Sequence, residues 1–577
     1  MDLQTGRGMK QDRVTTLQLM AETIGLLRPF WPLVVFATGI GIAGGIATAW
    51  LLAGINEGLH GDAGSNATLA GKFLGLCALS IGGTAVAGAM NSVVGQKIIA
   101  ALRKEISARI LRAPIARLEV HRSYRLMSVL TGDVDTVSAF TFNFSAYVIA
   151  LAIVIGSLFY LFSLSLAVFL MAIVSLALGL AINMFSHKVW IHDYEEVRTT
   201  QDELHKQYRA ITEGAKELKI SRPRRARVYG ELLSQAADQV ASLKSRAMKL
   251  HWIADAAASA IFFVMIGLLL AGRSRLEIDN VAISGAVIVL LYIKGPVDQL
   301  ASALPVFDQA RISFARIAAL SAELDDHEIN IPLVITSDQG AKSPVSWIEM
   351  RGVTYDFPTY EGHEPFQLGP IDLTITGGEL IFIVGENGSG KTTLIKLLLG
   401  LYSPKSGAVL LDGEPVKAGD RDEYRQLFTT IFSDYYLFDD FAYGALPDEA
   451  GPHLERLGIG HKVKVDGDTF TTADLSTGQR KRLALVQARL EDRPVVVTDE
   501  WAADQDPEFR RVFYEELLPE MKRQGKTLIV ISHDDRYFHV ADRIVTMRDG
   551  RIVEAGSAPN RSARFDHHDQ YLKDESV

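Results

Sequence analysis

The chain has 577 residues, of which 48% are hydrophobic and 22% charged, and its formal net charge is -9. This length predicts roughly two to four domains, and the acidic balance argues against a dedicated nucleic-acid binder. The single cysteine, Cys77, excludes an internal disulfide and a cysteine-rich metal cluster. These averages conceal a division, because uncharged apolar runs fill the first half and the second half has the composition of a soluble protein.

Six stretches in the first half are long and apolar enough to cross a membrane, since a spanning helix needs about 20 mostly apolar residues. The first run is too long for a secretory signal, so residues 1–28 are predicted to form a cytoplasmic N-terminal segment ahead of it. The predicted spans are 29–56, 73–96, two within 136–187 that are joined by a tight turn near 163–165, 251–272, and 280–301.

Lys and Arg residues predict the orientation of these spans. They are concentrated after the second span, within 97–125, and after the fourth span, where four arginines lie within 222–227. Basic connections stay in the cytoplasm, so both termini are expected there. Arg273 and Arg275, between the fifth and sixth spans, are a mild exception. Both basic segments have a helical pattern and predict spans that continue well into the cytoplasm.

The chain is therefore predicted to be a multi-domain membrane protein. Residues 29–320 form an all-α transmembrane domain of six helices with long cytoplasmic extensions. Acidic residues and Pro332 mark a polar linker at 321–345. Short β-rich runs then alternate with helical ones over 346–577, which is typical of an α/β domain.

A phosphate-binding loop is predicted where a strand at 380–384 leads into an apolar helix at 394–399. The connection matches G-x-x-x-x-G-K-[ST], in which glycines let backbone N–H groups wrap phosphates at a helix N-terminus. Lys391 is expected to reach the β- and γ-phosphates, and Thr392 to give a hydroxyl to Mg²⁺, so ATP and Mg²⁺ are the predicted cofactors. The predicted nucleotide-binding residues here are Gly385, Glu386, Asn387, Gly388, Ser389, Gly390, Lys391, Thr392 and Thr393.

Two later strands end in side chains that complete this chemistry. The strand at 495–498 ends in Asp499 and Glu500. The first carboxylate is predicted to hold Mg²⁺, and the second to orient and deprotonate the attacking water. The strand at 527–531 ends in Ser532 and His533, and the imidazole of His533 is a candidate contact of the γ-phosphate. The predicted catalytic residues are Glu500, His533 and Lys391.

The segment Leu475-Ser-Thr-Gly-Gln479 resembles the LSGGQ signature of ABC ATPases, with Thr in place of the first glycine. The resemblance implies that Ser476, Gly478 and Gln479 close over ATP held by a partner domain. It also implies that Phe357 stacks on adenine and that His533 lies in the H-loop. Asp506 would lie in the D-loop at the dimer interface and is a predicted nucleotide-binding residue. With the six preceding spans, the whole chain resembles an exporter-type ABC half-transporter that works as a homodimer.

Two departures from the ABC pattern bear on coupling. Ser433 occupies the place where most ABC domains have a glutamine that binds Mg²⁺. A hydroxyl is shorter, so either a water bridges the gap or Asp434 helps; Ser433 is retained as a candidate metal ligand. The stretch 439–475 is also short for a helical subdomain, and Asp466-Gly-Asp468 is the nearest match to the usual Gly-Glu element.

Three features narrow the resemblance to the bacterial cyclic-peptide and peptide-siderophore exporters, the group that includes the pyoverdine, syringomycin and microcin J25 exporters. They are Ser433, the run 499–507 and the run 211–219. The resemblance implies a coupling helix at 218–225 that contacts an ATPase domain. It also implies ATP-driven export of a peptide-type cargo across the inner membrane by alternating access of a dimer.

Two other functions remain open from the residues alone: a lipid or multidrug exporter, and an ATP-driven sensor or regulatory subunit without transport. Lys294 is a candidate cargo contact, since it lies roughly 20 Å into the last span and intramembrane charges are functional candidates. An anionic or carbonyl-rich cargo would suit it. Alternatively Lys294 snorkels to the interface or pairs with Asp298 one turn away. Pro296 is expected to kink this helix.

Overall fold

The computed structural model describes most of the chain. The described residues are 31–60, 66–120, 123–272, 279–324, 327–334, 345–357, 366–441, 449–467, 469–472 and 475–557. The predicted segment 1–28, much of the predicted linker 321–345 and Asp468 lie outside them.

The chain divides into two compact units. The first comprises Met1–Ser107 and Ser123–Ala322, and the second comprises Ala108–Arg122 and Glu323–Val577. The segment at 108–122, which the sequence placed within the transmembrane domain, is thus grouped with the second unit. The domain boundaries proposed from the sequence otherwise stay a prediction.

The membrane part is all helical, as predicted. Its helices are α1 Trp31–His60, α2 Asn66–Arg112, α3 Ile115–Val120, α4 Ser123–Ser128, α5 Val134–Leu164, α6 Leu166–Glu213, α7 Ala215–Ile220, α8 Arg222–Ala226, α9 Ser234–Ala271 and α10 Asn280–Glu323. Within the described residues, six helical segments are long and apolar enough to cross a membrane: Pro32–His60, Ala70–Arg112, Leu126–Leu164, Leu166–Ser186, Arg222–Ala271 and Asn280–Glu323.

The tight turn predicted near 163–165 is confirmed. Ser165 has φ -165° and ψ 131°, which is extended backbone, and it separates α5 from α6. The Ser165 N–H still donates to the Leu161 carbonyl at 3.1 Å. One extended residue therefore reverses the chain between two long helices.

The helices are much longer than the apolar stretches within them. Helix α6 has 48 residues, which corresponds to about 72 Å, more than twice the roughly 30 Å of a hydrocarbon core. Helix α10 continues through Pro296 and Pro305 without an interruption in its helical assignment. The additional length carries polar helix surface beyond the membrane.

The membrane helices contact one another through small residues and through buried polar groups such as Asn56. A side chain at Gly83 would meet the Gly44 backbone at 3.2 Å, so this pair lets α1 and α2 approach closely. Asn56 is 1% exposed and donates to the Tyr160 hydroxyl at 3.1 Å and to the Val281 carbonyl at 2.9 Å. This amide therefore joins the ends of α1 and α5 to the start of α10.

The second unit alternates strands and helices, as predicted. Its strands are β1 Trp347–Asp356, β2 Gln367–Thr376, β3 Leu380–Gly385, β4 Ser406–Leu411, β5 Glu414–Pro415, β6 Phe428–Ile431, β7 Val463–Asp466, β8 Thr469–Thr472, β9 Val495–Asp499, β10 Thr527–Ile531, β11 Arg543–Arg548 and β12 Arg551–Ser557. Its helices are α11 Lys391–Leu398, α12 Arg421–Arg425, α13 Ala450–Arg456, α14 Thr477–Glu491, α15 Pro507–Arg511 and α16 Leu518–Arg523.

The described strands form one six-stranded sheet in the order β12-β11-β3-β10-β9-β6, with a separate sheet β2-β1-β4-β5 and a hairpin β7-β8. The central strands β3, β6, β9, β10 and β11 are parallel. Along β3, Leu380 and Phe382 enter one core, and Ile381 and Ile383 enter the other. The sheet is thus buried on both faces, and β3, β9 and β10 end at one edge.

Helix α3 belongs to the second unit. Ile115 and Ala116 pack against the core that includes Leu394, and Lys396 on α11 donates to Glu119 at 2.6 Å. The Tyr402 hydroxyl donates to the same carboxylate. Helix α3 is therefore attached to the helix that follows the phosphate loop.

The stretch 439–475 is as short as the sequence indicated. Its described helix is the seven-residue α13, and the hairpin β7-β8 follows. Leu454, Val463 and Phe470 from these elements enter the same core as Leu483 of α14. The small subdomain is therefore attached to the helix that carries the signature motif.

Replacing Phe382 by Ala is expected to destabilise the second unit by about 3–5 kcal/mol, because deleting a buried ring leaves a cavity. Phe382 is fully buried, with 0% exposure. The loss should lower the unfolding midpoint of this unit by roughly 10 °C, measured on the full-length protein as the transition that added ATP raises. Phe438→Ala is the matched control, since Phe438 is 61% exposed. Equal shifts in the two variants would contradict the described core.

Candidate nucleotide-binding site

The loop between β3 and α11 has a backbone that requires glycine. Gly388 and Gly390 have φ of 84° and 96°, a region that other residues rarely adopt. A side chain at Gly390 would meet Leu368 at 2.8 Å. Helix α11 begins directly after Gly390, so its free N–H groups and its dipole point into the loop. This is the backbone geometry of an anion site.

Lys391 is buried at this helix start, with 6% exposure. Its Nζ donates to the carbonyl oxygens of Gly385 at 2.9 Å and Glu386 at 3.0 Å. Burial lowers the pKa of Lys391, and the carboxylates of Glu500 and Asp499 oppose that change. The ammonium therefore lies across the loop, where it can transfer its hydrogen bonds to phosphate oxygens.

Thr392 and Asp499 lie side by side at the sheet edge. The Thr392 hydroxyl donates to Asp499 Oδ2 at 3.0 Å, and Asp499 ends β9 with 2% exposure. Burial raises the pKa of the Asp499 carboxyl, and the hydrogen bond from Thr392 opposes the rise. A hydroxyl and a carboxylate in contact are oxygen ligands of the kind that Mg²⁺ prefers.

Glu500 and His533, which follow the parallel strands β9 and β10, are in contact. His533 Nε2 lies 3.1 Å from Glu500 Oε1. Glu500 has φ 51°, in the left-handed region, and this conformation follows directly on a fully buried strand. The two side chains are 36% and 45% exposed, so the carboxylate is accessible to a water molecule and is held by the imidazole.

A cavity of about 420 Å³ contains most of these groups. Phe357 and Phe366 lie at one side, with ring centroids 6.1 Å apart and ring planes inclined at 60°. The lining residues are Phe357, Phe366, Asn387, Gly388, Gly390, Lys391, Thr392, Thr393 and Glu500. The cavity therefore joins an aromatic surface, a phosphate loop and a carboxylate, which suits a nucleotide.

The signature segment begins helix α14 and lies outside the lining of this cavity. Ser476 caps the helix: its hydroxyl accepts from the Gln479 N–H, and the Gln479 side chain accepts in turn from the Ser476 N–H. Ser476 and Thr477 are exposed. A side chain at Gly478 would meet the Asp504 carbonyl at 2.7 Å, whereas Thr477 has room, so only the second glycine of the motif is required here.

Comparison with known proteins agrees with this site. The family described as ABC transporter matches residues 368–503, and the family described as ABC transporter transmembrane region matches residues 31–202. The ATP-binding protein SyrD of Pseudomonas syringae pv. syringae is 34% identical over 93% of this chain and 98% of its own length. The chain belongs to the ABC exporter family. It is a half-transporter with one membrane domain and one ATP-hydrolysing domain.

Other relatives of this ABC exporter are named as lipid A-core flippases. The ATP-dependent lipid A-core flippase of Chromohalobacter salexigens is 27% identical over 94% of this chain and 95% of its own length. That of Burkholderia orbicola is 36% identical, over 38% of this chain and 39% of its length. The structure of a bacterial Atm1-family ABC exporter with ATP bound has the same fold, with a TM-score of 0.69 over 92% of this chain and 95% of that chain at 18% identity.

Asp506 is occupied by contacts within the ABC exporter chain. Its carboxylate caps α15 by accepting from the Phe509 N–H at 3.0 Å, and it pairs with Arg482 at 2.8 Å. The backbone hydrogen bond from Phe509 is the main cause that lowers the pKa of Asp506. The residue does not line the cavity, so its predicted nucleotide contact stays a prediction. Its observed contacts attach the start of α15 to α14.

The loop after β6 carries Ser433, the predicted metal ligand, and Asp434. Ser433 and Asp434 are both exposed, and neither lines the cavity. Burial is the main cause that raises the pKa of Asp499, and the nearby Asp434 carboxylate adds to the rise. The Asp434 carboxylate is thus close enough to act on Asp499, and the contact of Ser433 with Mg²⁺ stays a prediction.

Lys294 belongs to the other unit and has a partner. Its Nζ donates to Asp298 Oδ2 at 2.8 Å, and the two side chains are 32% and 31% exposed. Pairing with Asp298 was one of the alternatives that the sequence left open. Asp298 partly neutralises the positive charge of Lys294 that an anionic cargo would meet. The contact of Lys294 with a cargo cavity stays a prediction.

Two residues of this region were missed from the sequence. Phe366 lies beside Phe357 in the cavity lining because the Phe357 N–H donates to its carbonyl at 3.1 Å, which extends the pairing of β1 and β2. Predicting a β-hairpin over 347–376 would have placed Phe366 beside Phe357. Lys481 is the second residue after the signature segment and donates to the Glu500 carbonyl at 2.9 Å. The sequence had no signal for that contact.

Lys391→Met is expected to weaken ATP binding about 10- to 100-fold, because a charge-assisted hydrogen bond to phosphate is lost. The matched control is Lys396→Met on the same helix, since Lys396 Nζ pairs with Glu119 at 2.6 Å and does not line the cavity. Equilibrium binding of a fluorescent ATP analogue to the full-length protein measures both. Equal affinities in the two variants would remove Lys391 from the phosphate site.

Proposed function

We propose that this ABC exporter moves a peptide-type cargo, such as a cyclic or modified peptide or a peptide siderophore, from the cytoplasm across a bacterial inner membrane. The observation that carries the proposal is the full-length similarity to SyrD. It reaches 34% identity over 93% of the chain, whereas the flippase aligned over 94% reaches 27%. Ser433 and the run 499–507 support the same group through the resemblance described above.

The working form is proposed to be a homodimer with two composite ATP sites. The cavity of one chain contains the phosphate loop and Glu500 but not the signature segment. Ser476 and Thr477 are exposed at the start of α14. This division supports a site in which Lys391 and Thr392 of one chain and Ser476, Gly478 and Gln479 of a second copy hold one ATP. Phe357 and Phe366 offer aromatic faces to the adenine.

Thr392 and Asp499 are the residues that would hold Mg²⁺, because their oxygens are already in hydrogen-bond contact at the end of β9. When bound, the ion supplies charge neutralisation to the phosphates. Of the described residues, no group of three or more His, Cys, Asp and Glu is placed to hold a metal. Phosphate and water oxygens are therefore proposed to complete the coordination.

In the proposed cycle, Lys391 first transfers its hydrogen bonds from the loop carbonyls to the β- and γ-phosphates. Glu500 then orients the attacking water and accepts its proton, while His533 holds the Glu500 carboxylate at 3.1 Å and faces the γ-phosphate. Closure of two such sites draws the cytoplasmic helix ends together and opens the cargo path outward. Hydrolysis then lets the closed dimer open, and the cargo path faces the cytoplasm again.

The proposed orientation places both termini in the cytoplasm. It is supported by the basic segments after the second and fourth spans. Residues 218–225, which form the end of α7 and the start of α8, are mostly exposed in the chain. Their contact with an ATPase domain stays a prediction, and their exposed arginines leave them available for it.

The second candidate is a lipid cargo, since several relatives are named as lipid A-core flippases. A sensor or regulatory subunit without transport is the candidate of another class. The contact between Glu500 and His533 supports an active ATPase but does not distinguish transport from sensing. Cargo that stimulates ATP turnover in proteoliposomes separates peptide from lipid.

Glu500→Gln is expected to abolish ATP-dependent uptake of a labelled cyclic peptide into inside-out proteoliposomes, because an amide cannot take the proton from water. The loss in ATP turnover should be about 100-fold or more. Glu508→Gln, at an exposed position of α15, is the matched control and should transport normally. Equal uptake by both variants would refute transport driven by Glu500, and stimulation by lipid but not peptide would reassign the cargo.

A further inference from the structure

Helix α14 carries two buried cations directly behind the exposed signature segment. Lys481 is 3% exposed and Arg482 is 9% exposed. Lys and Arg are almost never buried unless they are paired, because an uncompensated charge is costly away from water. Neither side chain lines the nucleotide cavity. Their burial therefore needs a role other than direct contact with ATP.

Lys481 holds the loop that begins with Glu500. Its Nζ donates to the Glu500 carbonyl at 2.9 Å and pairs with Asp504 Oδ2 at 2.8 Å. Its own carbonyl accepts from Trp501 Nε1 at 2.7 Å, and the Trp501 ring stacks on Phe513 at 4.3 Å. One residue of the signature helix thus contacts three residues at and just after the proposed base.

The backbone of Glu500 needs such support. Its φ of 51° lies in the left-handed region, which is unfavourable for a residue with a side chain and persists only where neighbouring contacts fix it. The carbonyl of this residue accepts from Lys481 and, at 3.2 Å, from the Ala503 N–H. The Glu500 N–H donates to the Ile531 carbonyl at 3.2 Å. The direction of the carboxylate follows from this fixed peptide.

A second set of contacts joins the same loop to the signature segment itself. Gln505 Nε2 donates to the Gly478 carbonyl at 3.0 Å, and Gln505 Oε1 accepts from Arg482 Nε at 2.8 Å. Arg482 also pairs with Asp506 at 2.8 Å and lies over the Phe509 ring at 3.3 Å. The signature segment, α14 and the loop at 500–506 therefore form one hydrogen-bonded body within a single chain.

We infer that Lys481 is a positioning residue for the Glu500 of its own chain, and that it links the ATP site completed by this chain's signature to the ATP site that contains this chain's base. Seating of Ser476 and Gly478 on the ATP of the partner then moves α14, and Lys481 carries that movement to the Glu500 peptide. The inference rests on the proposed homodimer.

The first test separates positioning from binding in the full-length protein in nanodiscs. Lys481→Met should lower kcat for ATP about 10- to 100-fold, the size of effect expected for a misplaced catalytic group. The KM for ATP and the affinity for ATP without Mg²⁺ should stay within about twofold, since Lys481 does not line the cavity and, of the lining residues, contacts only the backbone carbonyl of Glu500. Lys481→Arg should restore much of the rate, because it keeps a cation at this place. Lys526→Met is the matched control, since Lys526 pairs with Asp492 at 2.6 Å, outside the nucleotide site.

Asp504→Asn is a second variant that keeps the fold, because the Asp504 side chain is 49% exposed. It removes the ion pair and leaves the bond to the Glu500 carbonyl, so kcat should fall by less than in Lys481→Met. A parallel loss of kcat and ATP affinity in Lys481→Met, or the same loss in Lys526→Met, would show a general structural role and overturn the inference.

The decisive test uses mixed dimers of two differently tagged copies, measured against a dimer in which one copy carries Glu500→Gln. When Lys481→Met and Glu500→Gln are on the same copy, the other copy keeps an intact pair, and turnover should match the reference. When they are on opposite copies, both sites are damaged, and turnover should fall at least tenfold below it. The reverse order would show that Lys481 acts through the signature on the partner's site and would overturn the inference.

Cargo is absent from the assay, so a wrong peptide assignment leaves the result unchanged. Failure to dimerise, in contrast, abolishes turnover in the unmutated protein too.

Discussion

A buried ammonium needs oxygen partners at hydrogen-bond distance, because an unpaired charge away from water is costly. The ATPase domain depends on two buried ammonium groups, those of Lys391 and Lys481. Lys391 Nζ donates to the carbonyls of Gly385 and Glu386, and Lys481 Nζ donates to the carbonyl of Glu500. Lys391 acts electrostatically on the Glu500 side chain, whereas Lys481 holds its backbone. The proposed base is therefore fixed between two cations that belong to different helices, and the contacts that satisfy each cation also determine the shape of the site.

The parts of the site that the sequence could predict are those that local backbone chemistry dictates. Gly388 and Gly390 occupy positions with positive φ, and a strand before them and a helix after them suffice to place the loop. The carboxylates at the end of β9 follow from the parallel sheet, whose strands end at one edge. Lys481 could not be predicted in this way. Its partner is a carbonyl 19 residues away, every residue has a carbonyl, and only the folded chain selects one.

In the membrane domain the apolar runs located all six helices and the turn at Ser165, because a bilayer imposes length and composition on any spanning segment. The apolar runs are shorter than the helices that contain them, since α6 continues to Glu213 through polar sequence. They also gave no indication of the buried amide of Asn56, which contacts Tyr160 and Val281. Contacts between helices depend on which faces meet, and hydropathy averaged along one helix does not contain that information.

The short subdomain before α14 bears on how the signature moves. The described helix of that subdomain is only the seven-residue α13, so little structure outside the main sheet holds α14. Helix α14 buries Leu483 and Leu485 in the core on one face of the main sheet and is tied to the loop at 500–506. Ser476 lies five residues from Lys481, or about 7.5 Å along the helix, and the capping box fixes the first turn. A displacement of the signature therefore reaches the Glu500 carbonyl through a single stiff turn and a half of helix.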